Sequence, residues 1–197
     1  LERASSPPAS AAVVGAGSDA LALIRPEVEA LAADLPGAVA TVDATRQHLL
    51  AALAHHELVH VAAHALFLED VPGASGIRLA DGFVTLHDLA AATVNARLVS
   101  FGVCSGVRMY RTEARRFEGF LRVLLTAGVR HVVGATGWVT DASANRFAVT
   151  FFADLRRSAH PARAYQKAVL AVRDLDPHPA AWGSFQLYGD GREWSTR

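Results

Sequence analysis

Two side chains in this sequence have the types and placement to act as one chemical unit. Cys104, the only cysteine in 197 residues, follows the apolar run Arg97-Leu98-Val99-Ser100-Phe101-Gly102-Val103 and precedes Ser105-Gly106. His64 follows a second such run, Leu58-Val59-His60-Val61-Ala62-Ala63. A thiol beside an imidazole is a nucleophile with its own base: the ring takes the proton and the thiolate attacks a carbonyl. Free cysteine is usually a small buried hydrophobe. Cys104 departs from that pattern because it comes after the apolar run, where a Ser-Gly turn would leave the thiol near open backbone N–H groups that favour a thiolate. His60, four residues before His64 and on the same strand face, falls inside its run. It reads as packed or hydrogen-bonded in the interior, and His64 as the base.

A different chemistry overlaps the same stretch. His56-Glu57-Leu58-Val59-His60 matches the H-E-x-x-H pattern of zinc peptidases. That chemistry needs both histidines on one face of a helix, with a third ligand downstream. Here the pattern straddles a helix end and a strand, where His56 and His60 would stand roughly 13 Å apart. A zinc metallopeptidase through His56 and His60 is therefore a minor alternative. Val14-Gly15-Ala16-Gly17 lacks the third glycine and acidic partner of a dinucleotide fingerprint. Arg108, Arg111, Arg115 and Arg116 are interleaved with Glu113 and Glu118, which reads as a solvated face.

The elements needed to bring His64 and Cys104 together are legible around them. Short apolar strands are expected at Ala11–Gly17, Ala38–Val42, Leu58–Ala63, Arg97–Val103 and Val129–Ala135. Helical apolar spacing fills the intervals, with a helix from about Pro26 and another capped by Asp43. Ile77-Arg78-Leu79 and Phe83-Val84-Thr85-Leu86 flank Ala80-Asp81-Gly82, a β-hairpin signature. His87–Asn95 predicts a short helix, Asp141–Ser158 and Pro161–Leu175 two amphipathic helices, and Trp182–Tyr188 a last strand. Strands alternating with helices predict an α/β fold with a mostly parallel sheet. If the histidine and cysteine strands are neighbours, both residues emerge at the sheet's carboxyl edge, where open α/β sheets hold ligands.

Composition sets the outer bounds. Apolar residues make up 51% and charged residues 19%, with a formal net charge of zero. Such a chain builds a core and carries no field to gather nucleic acid or an anionic membrane. A lone cysteine cannot form an internal disulfide, so a reducing, cytoplasmic setting is expected. No apolar run reaches the roughly 18 residues of a membrane span. Residues 1–10 are Ser/Pro/Ala-rich and read as a linker, and a start without methionine suggests a domain from a longer protein. Residues 11–197 read as a single domain.

With these residues in place, the chain resembles the CHAT domain, a caspase- and separase-related family often found behind tetratricopeptide repeats. The resemblance runs from about Ala11 to Asp190. It rests on Leu58–His64, Ser75–Gly82, Leu98–Cys104, Ala127-Gly128-Val129-Arg130, Gly137-Trp138-Val139-Thr140-Asp141 and Ala181-Trp182-Gly183-Ser184-Phe185. It implies a caspase-like fold, with helices on both faces of the sheet and a β-hairpin insertion. It also implies a cysteine endopeptidase with Cys104 as nucleophile and His64 as general base or acid. The backbone N–H groups of Ala65 and Cys104 would form the oxyanion hole, and no metal or cofactor is expected.

In separase-like relatives an acidic residue selects a basic P1 side chain. Asp141 is the matching position, with capping of a helix starting at Ala142 as the equal alternative. The implied partners are a protein or peptide substrate and an adjacent repeat domain, in a bacterial cytoplasm. A catalytically silent interaction module of the same fold is the rival reading. The chain departs from the family in having Ala65 where glycine is usual after the histidine, and a shorter Ser105-Gly106 after the cysteine.

Overall fold

The computed structural model describes residues 8–17, 24–35, 37–66, 68, 71–102, 113–137 and 139–191, without the side chains of 72 and 113–118. In chain order these form β1 (Ala11–Ala16), α1 (Ile24–Asp34), β2 (Val39–Thr41), α2 (Arg46–His55), β3 (Leu58–Ala63) and β4 (Ala65–Leu66). A 3-10 turn at Pro72–Ala74 leads to β5 (Gly76–Leu79), β6 (Gly82–Thr85), α3 (Leu86–Ala91) and β7 (Leu98–Phe101). Then come α4 (Glu113–Thr126), β8 (His131–Ala135), α5 (Asp141–Ser158), α6 (Pro161–Leu175), α7 (Pro179–Trp182) and β9 (Phe185–Gly189).

The expected α/β architecture is present. Six strands pair in the order β2-β1-β3-β7-β8-β9, parallel except for β9, which runs antiparallel to β8. Every residue of β1 and β3 is buried, as their unbroken apolar runs require in a sheet covered on both faces. Alternate residues divide between two cores. Leu58, Ala62, Leu98 and Val133 face Val28, Leu31, Phe147, Phe151, Phe152 and Ala164, from α1, α5 and α6. Val59, Val61, Val99 and Val132 face Leu49, Leu53, Leu89, Phe120 and Leu124, from α2, α3 and α4.

Local chemistry sets several boundaries differently from the sequence expectation. Helix α1 starts at Ile24, two residues before Pro26. Proline is tolerated there because first-turn N–H groups have no partner within the helix. Asp43 does not cap α2. Thr45 does, in a reciprocal capping box with His48, while Asp43 adopts a left-handed backbone with φ 55°. The predicted hairpin forms as β5 and β6, and β4 adds a third strand antiparallel to β5. Two residues are too few for periodicity to reveal β4. Trp182, expected in the last strand, instead closes the four-residue α7, and β9 begins at Phe185.

Candidate active site

The carboxyl ends of β1 and β3 are the place where the chain changes direction across the sheet. From β1 it steps to β2 on one side, then returns past β1 to β3 and on to β7 and β8. Such a switch point opens a crevice at the strand ends. Half-buried His64 stands there, immediately after β3. Its carbonyl accepts a 2.7 Å hydrogen bond from the Arg78 N–H, pinning the corner to the hairpin. The hairpin is fixed in turn by the Ala80 N–H on the Ala44 carbonyl, at 2.9 Å, and the Arg46 N–H on Asp81 Oδ1, at 2.8 Å.

Beside His64 lies an open cavity of about 180 Å³, lined by Ala16, Gly17, Asp43, His64, Arg78, Leu79 and Ala80. Asp43 supplies its carboxylate. The Arg25 guanidinium sits 3.4 Å from Asp43 Oδ2, with both side chains exposed, so this carboxylate can already receive a guanidinium.

Strands β3 and β7 are parallel neighbours in the register Leu58↔Leu98, Val59↔Val99, His60↔Ser100 and Val61↔Phe101. The Gly102 N–H continues the ladder onto the Val61 carbonyl at 2.9 Å. Cys104 and its oxyanion N–H lie outside the described residues. In sequence Cys104 falls three positions beyond Phe101, as His64 falls three beyond Val61.

Ala65, the other oxyanion candidate, pairs with Ile77 in β4. The bond from Arg78 to the His64 carbonyl makes Ala65–Ile77 a non-hydrogen-bonded pair, so the Ala65 N–H turns away from β5. Among the described residues the non-glycine positions with positive φ are Asp43 and Ala159. Ala65 therefore incurs no left-handed strain in place of glycine. Asp141 is the first residue of α5 and is not among the residues that line the cavity. The capping alternative for Asp141 is corrected: Thr140 is the N-cap, its hydroxyl accepting from the Ser143 N–H.

Four residues upstream of His64 and Cys104 the two strands are cross-linked. His60, fully buried, has Nε2 2.7 Å from Glu27 Oε1 and Nδ1 3.1 Å from Ser100 Oγ. With the carboxylate accepting from Nε2–H, Nδ1 accepts the Ser100 hydroxyl proton. Phe152 packs edge-on to the ring at 5.2 Å. This resembles a hydrolase triad in composition only, because a ring with no exposure offers no approach to a substrate. The same contacts set aside the zinc alternative. Both ring nitrogens of His60 are engaged within a strand, and His56 is the C-cap that follows α2. Burial lowers the His56 pKa, and neighbouring His55 adds to the shift.

A family profile for the CHAT domain matches residues 2–190. The chain belongs to the CHAT domain family. Its fold is also that of a separase: it is similar to the chain in the crystal structure of the Saccharomyces cerevisiae separase–securin complex, with a TM-score of 0.62 at 16% identity. That match covers 91% of this chain and 11% of the separase chain. Nothing among the curated proteins matches. This CHAT domain thus shares its fold with part of the separase chain. Among its described residues no helix is long and apolar enough to cross a membrane.

Two residues of this CHAT domain's site region carried a signal that sequence reasoning passed over. Glu27 occupies a core position on the apolar face of α1 with Ile24, Val28 and Leu31, and a carboxylate there requires a buried partner. Ser100 interrupts an otherwise apolar strand directly opposite His60.

Proposed function

We propose that this CHAT domain is a cysteine endopeptidase acting through Cys104 and His64. The observation that carries the reading is His64 at the switch-point edge, immediately after β3 and beside an open cavity, with β3 paired in parallel to β7, the strand that precedes Cys104 in sequence. His64 takes the thiol proton, and the thiolate attacks the scissile carbonyl. The backbone N–H groups of Ala65 and Cys104 hold the oxyanion. The imidazolium then returns its proton to the leaving amine, and water hydrolyses the thioester. The sequence of steps requires no metal or organic cofactor.

The substrate is a protein or peptide chain, with a basic P1 residue selected by an acidic side chain. The two candidates on this reading are Asp141, at the start of α5, and Asp43, which lines the cavity beside His64. The setting on this reading is cytoplasmic, with an adjacent repeat domain as regulatory partner.

Mass-spectrometric profiling of a peptide library tests the reading. The wild-type chain is expected to cleave, and Cys104→Ala and His64→Ala to lose cleavage altogether. Undiminished cleavage in either variant, or none by the wild type, would contradict it and favour an interaction module. Asp141→Asn and Asp43→Asn, assayed on peptides with arginine at P1, separate the two carboxylates. Cleavage after arginine unaffected by Asp141→Asn would remove Asp141 from that role.

A further inference from the structure

The buried Glu27–His60–Ser100 network lies outside the reaction path, yet its placement relates directly to the two residues on that path. His60 and Ser100 are register partners. His60 precedes His64 by four residues, and Ser100 precedes Cys104 by four. The 3.1 Å contact between them is therefore a side-chain cross-link set four sequence positions before each of His64 and Cys104.

Glu27 adds a third point from α1, across the strands rather than along them. Gly102, two residues before Cys104, passes directly over this pair. A Cβ there would lie 2.8 Å from Glu27 Oε1 and 3.1 Å from His60 Cε1. The backbone approaching the nucleophile thus runs against the network with no space for a side chain. Every member is buried: His60 has no exposure, Ser100 is 2% exposed and Glu27 5%. In so dry a site a change in one contact must be absorbed by the others or by the strands themselves.

We infer that Glu27, His60 and Ser100 are positioning residues that hold the ends of β3 and β7 at the mutual register needed for His64 and Cys104 to meet. This rests on the proposed thiol–imidazole dyad. None of the three touches substrate. They act through Gly102 on one strand and the His60–His64 segment on the other. The cost of error is steep, because displacing a reacting group by about 1 Å can lower rate by about a hundredfold.

The test is the pH profile of Cys104 alkylation by iodoacetamide in the folded wild-type chain, His64→Ala, Glu27→Gln and Ser100→Ala. Circular dichroism and urea unfolding are recorded alongside. Glu27→Gln keeps the shape of the side chain, and Ser100→Ala removes one hydroxyl. If either fails to fold, the other carries the test. The expected result is a wild-type rate at neutral pH that slows in His64→Ala. Glu27→Gln and Ser100→Ala should slow it by roughly tenfold or more, their profiles moving toward an ordinary thiol near about pH 8.5. Folded variants that lose stability but keep the wild-type profile would make the network a purely structural feature and overturn the inference. A wild-type rate indifferent to His64→Ala would overturn the dyad and the inference with it, so that control tells the two failures apart.

Discussion

Glu27 and Asp154 are both buried helical carboxylates, and their surroundings could hardly differ more. Glu27 meets an imidazole that is itself enclosed, and that ring meets a serine hydroxyl equally enclosed. Asp154, on α5 and 1% exposed, gathers Lys167 and Arg163 from α6, with Arg157 and Ser158 from its own helix. Its three cations are 44% to 66% exposed, so their charges remain solvated. Burial draws the Asp154 pKa upward, but the hydrogen bond and charge of Lys167, the Ser158 hydroxyl and the Arg163 charge outweigh it, and the net shift is downward.

The Asp154 cluster is redundant and open to water, and it clamps α5 to α6. The Glu27 network has neither property and lies beneath the candidate active site. Polar groups without redundancy or solvent relief specify one geometry. That is what the proposed His64–Cys104 dyad would require of the two strands.

The largest effect should come from His60→Ala, which strands the Glu27 carboxylate in the core. Urea unfolding is expected to show a loss of about 3–5 kcal/mol. A loss comparable to a surface change would mean that Glu27 finds water or another partner. Gly102→Ala should follow, at about 1–3 kcal/mol, because the new methyl group forces Glu27 and His60 apart. It should also slow Cys104 alkylation, which an overpacking change among the α5–α6 residues would leave alone.

Lys167→Ala should cost at most about 1 kcal/mol, since Arg163, Arg157 and Ser158 remain on Asp154 and the lysine is nearly half exposed. A loss matching that of His60→Ala would erase the distinction between the two sites. The smallest effect is in acid. A carboxylate whose folded pKa is depressed stabilises fully above its unfolded value, about 3.9, and that contribution disappears as pH falls through the folded pKa. The stability gap between wild type and Asp154→Asn should therefore shrink below about pH 4. A gap that widens there would reverse the assigned shift.

Much of this arrangement could be read from sequence because the relevant signals are local. Helices α5 and α6 run from Asp141 to Ser158 and from Pro161 to Leu175, as the amphipathic spacing indicates, with Pro161 preset for the first helical turn. The two apolar runs that become β3 and β7 were legible, and their parallel pairing, posed from sequence only as a condition, is met. The missing parts depend on contacts distant in sequence. Glu27 lies 33 positions from His60, and only the packing of α1 on the sheet brings them together. Aspartate favours helix caps, so Asp43 is the cap the sequence suggests. The Thr45–His48 box took the role, and the turn directed Asp43 to the cavity beside His64.

The most direct test of the central claim is the rate of Cys104 alkylation against pH in the wild-type chain and in His64→Ala. With one cysteine in the sequence, every adduct reports the same thiol. Fast reaction at or below neutral pH that slows markedly in His64→Ala is the result predicted for a thiolate poised by His64. A slow reaction, or a rate that ignores His64, would contradict the dyad.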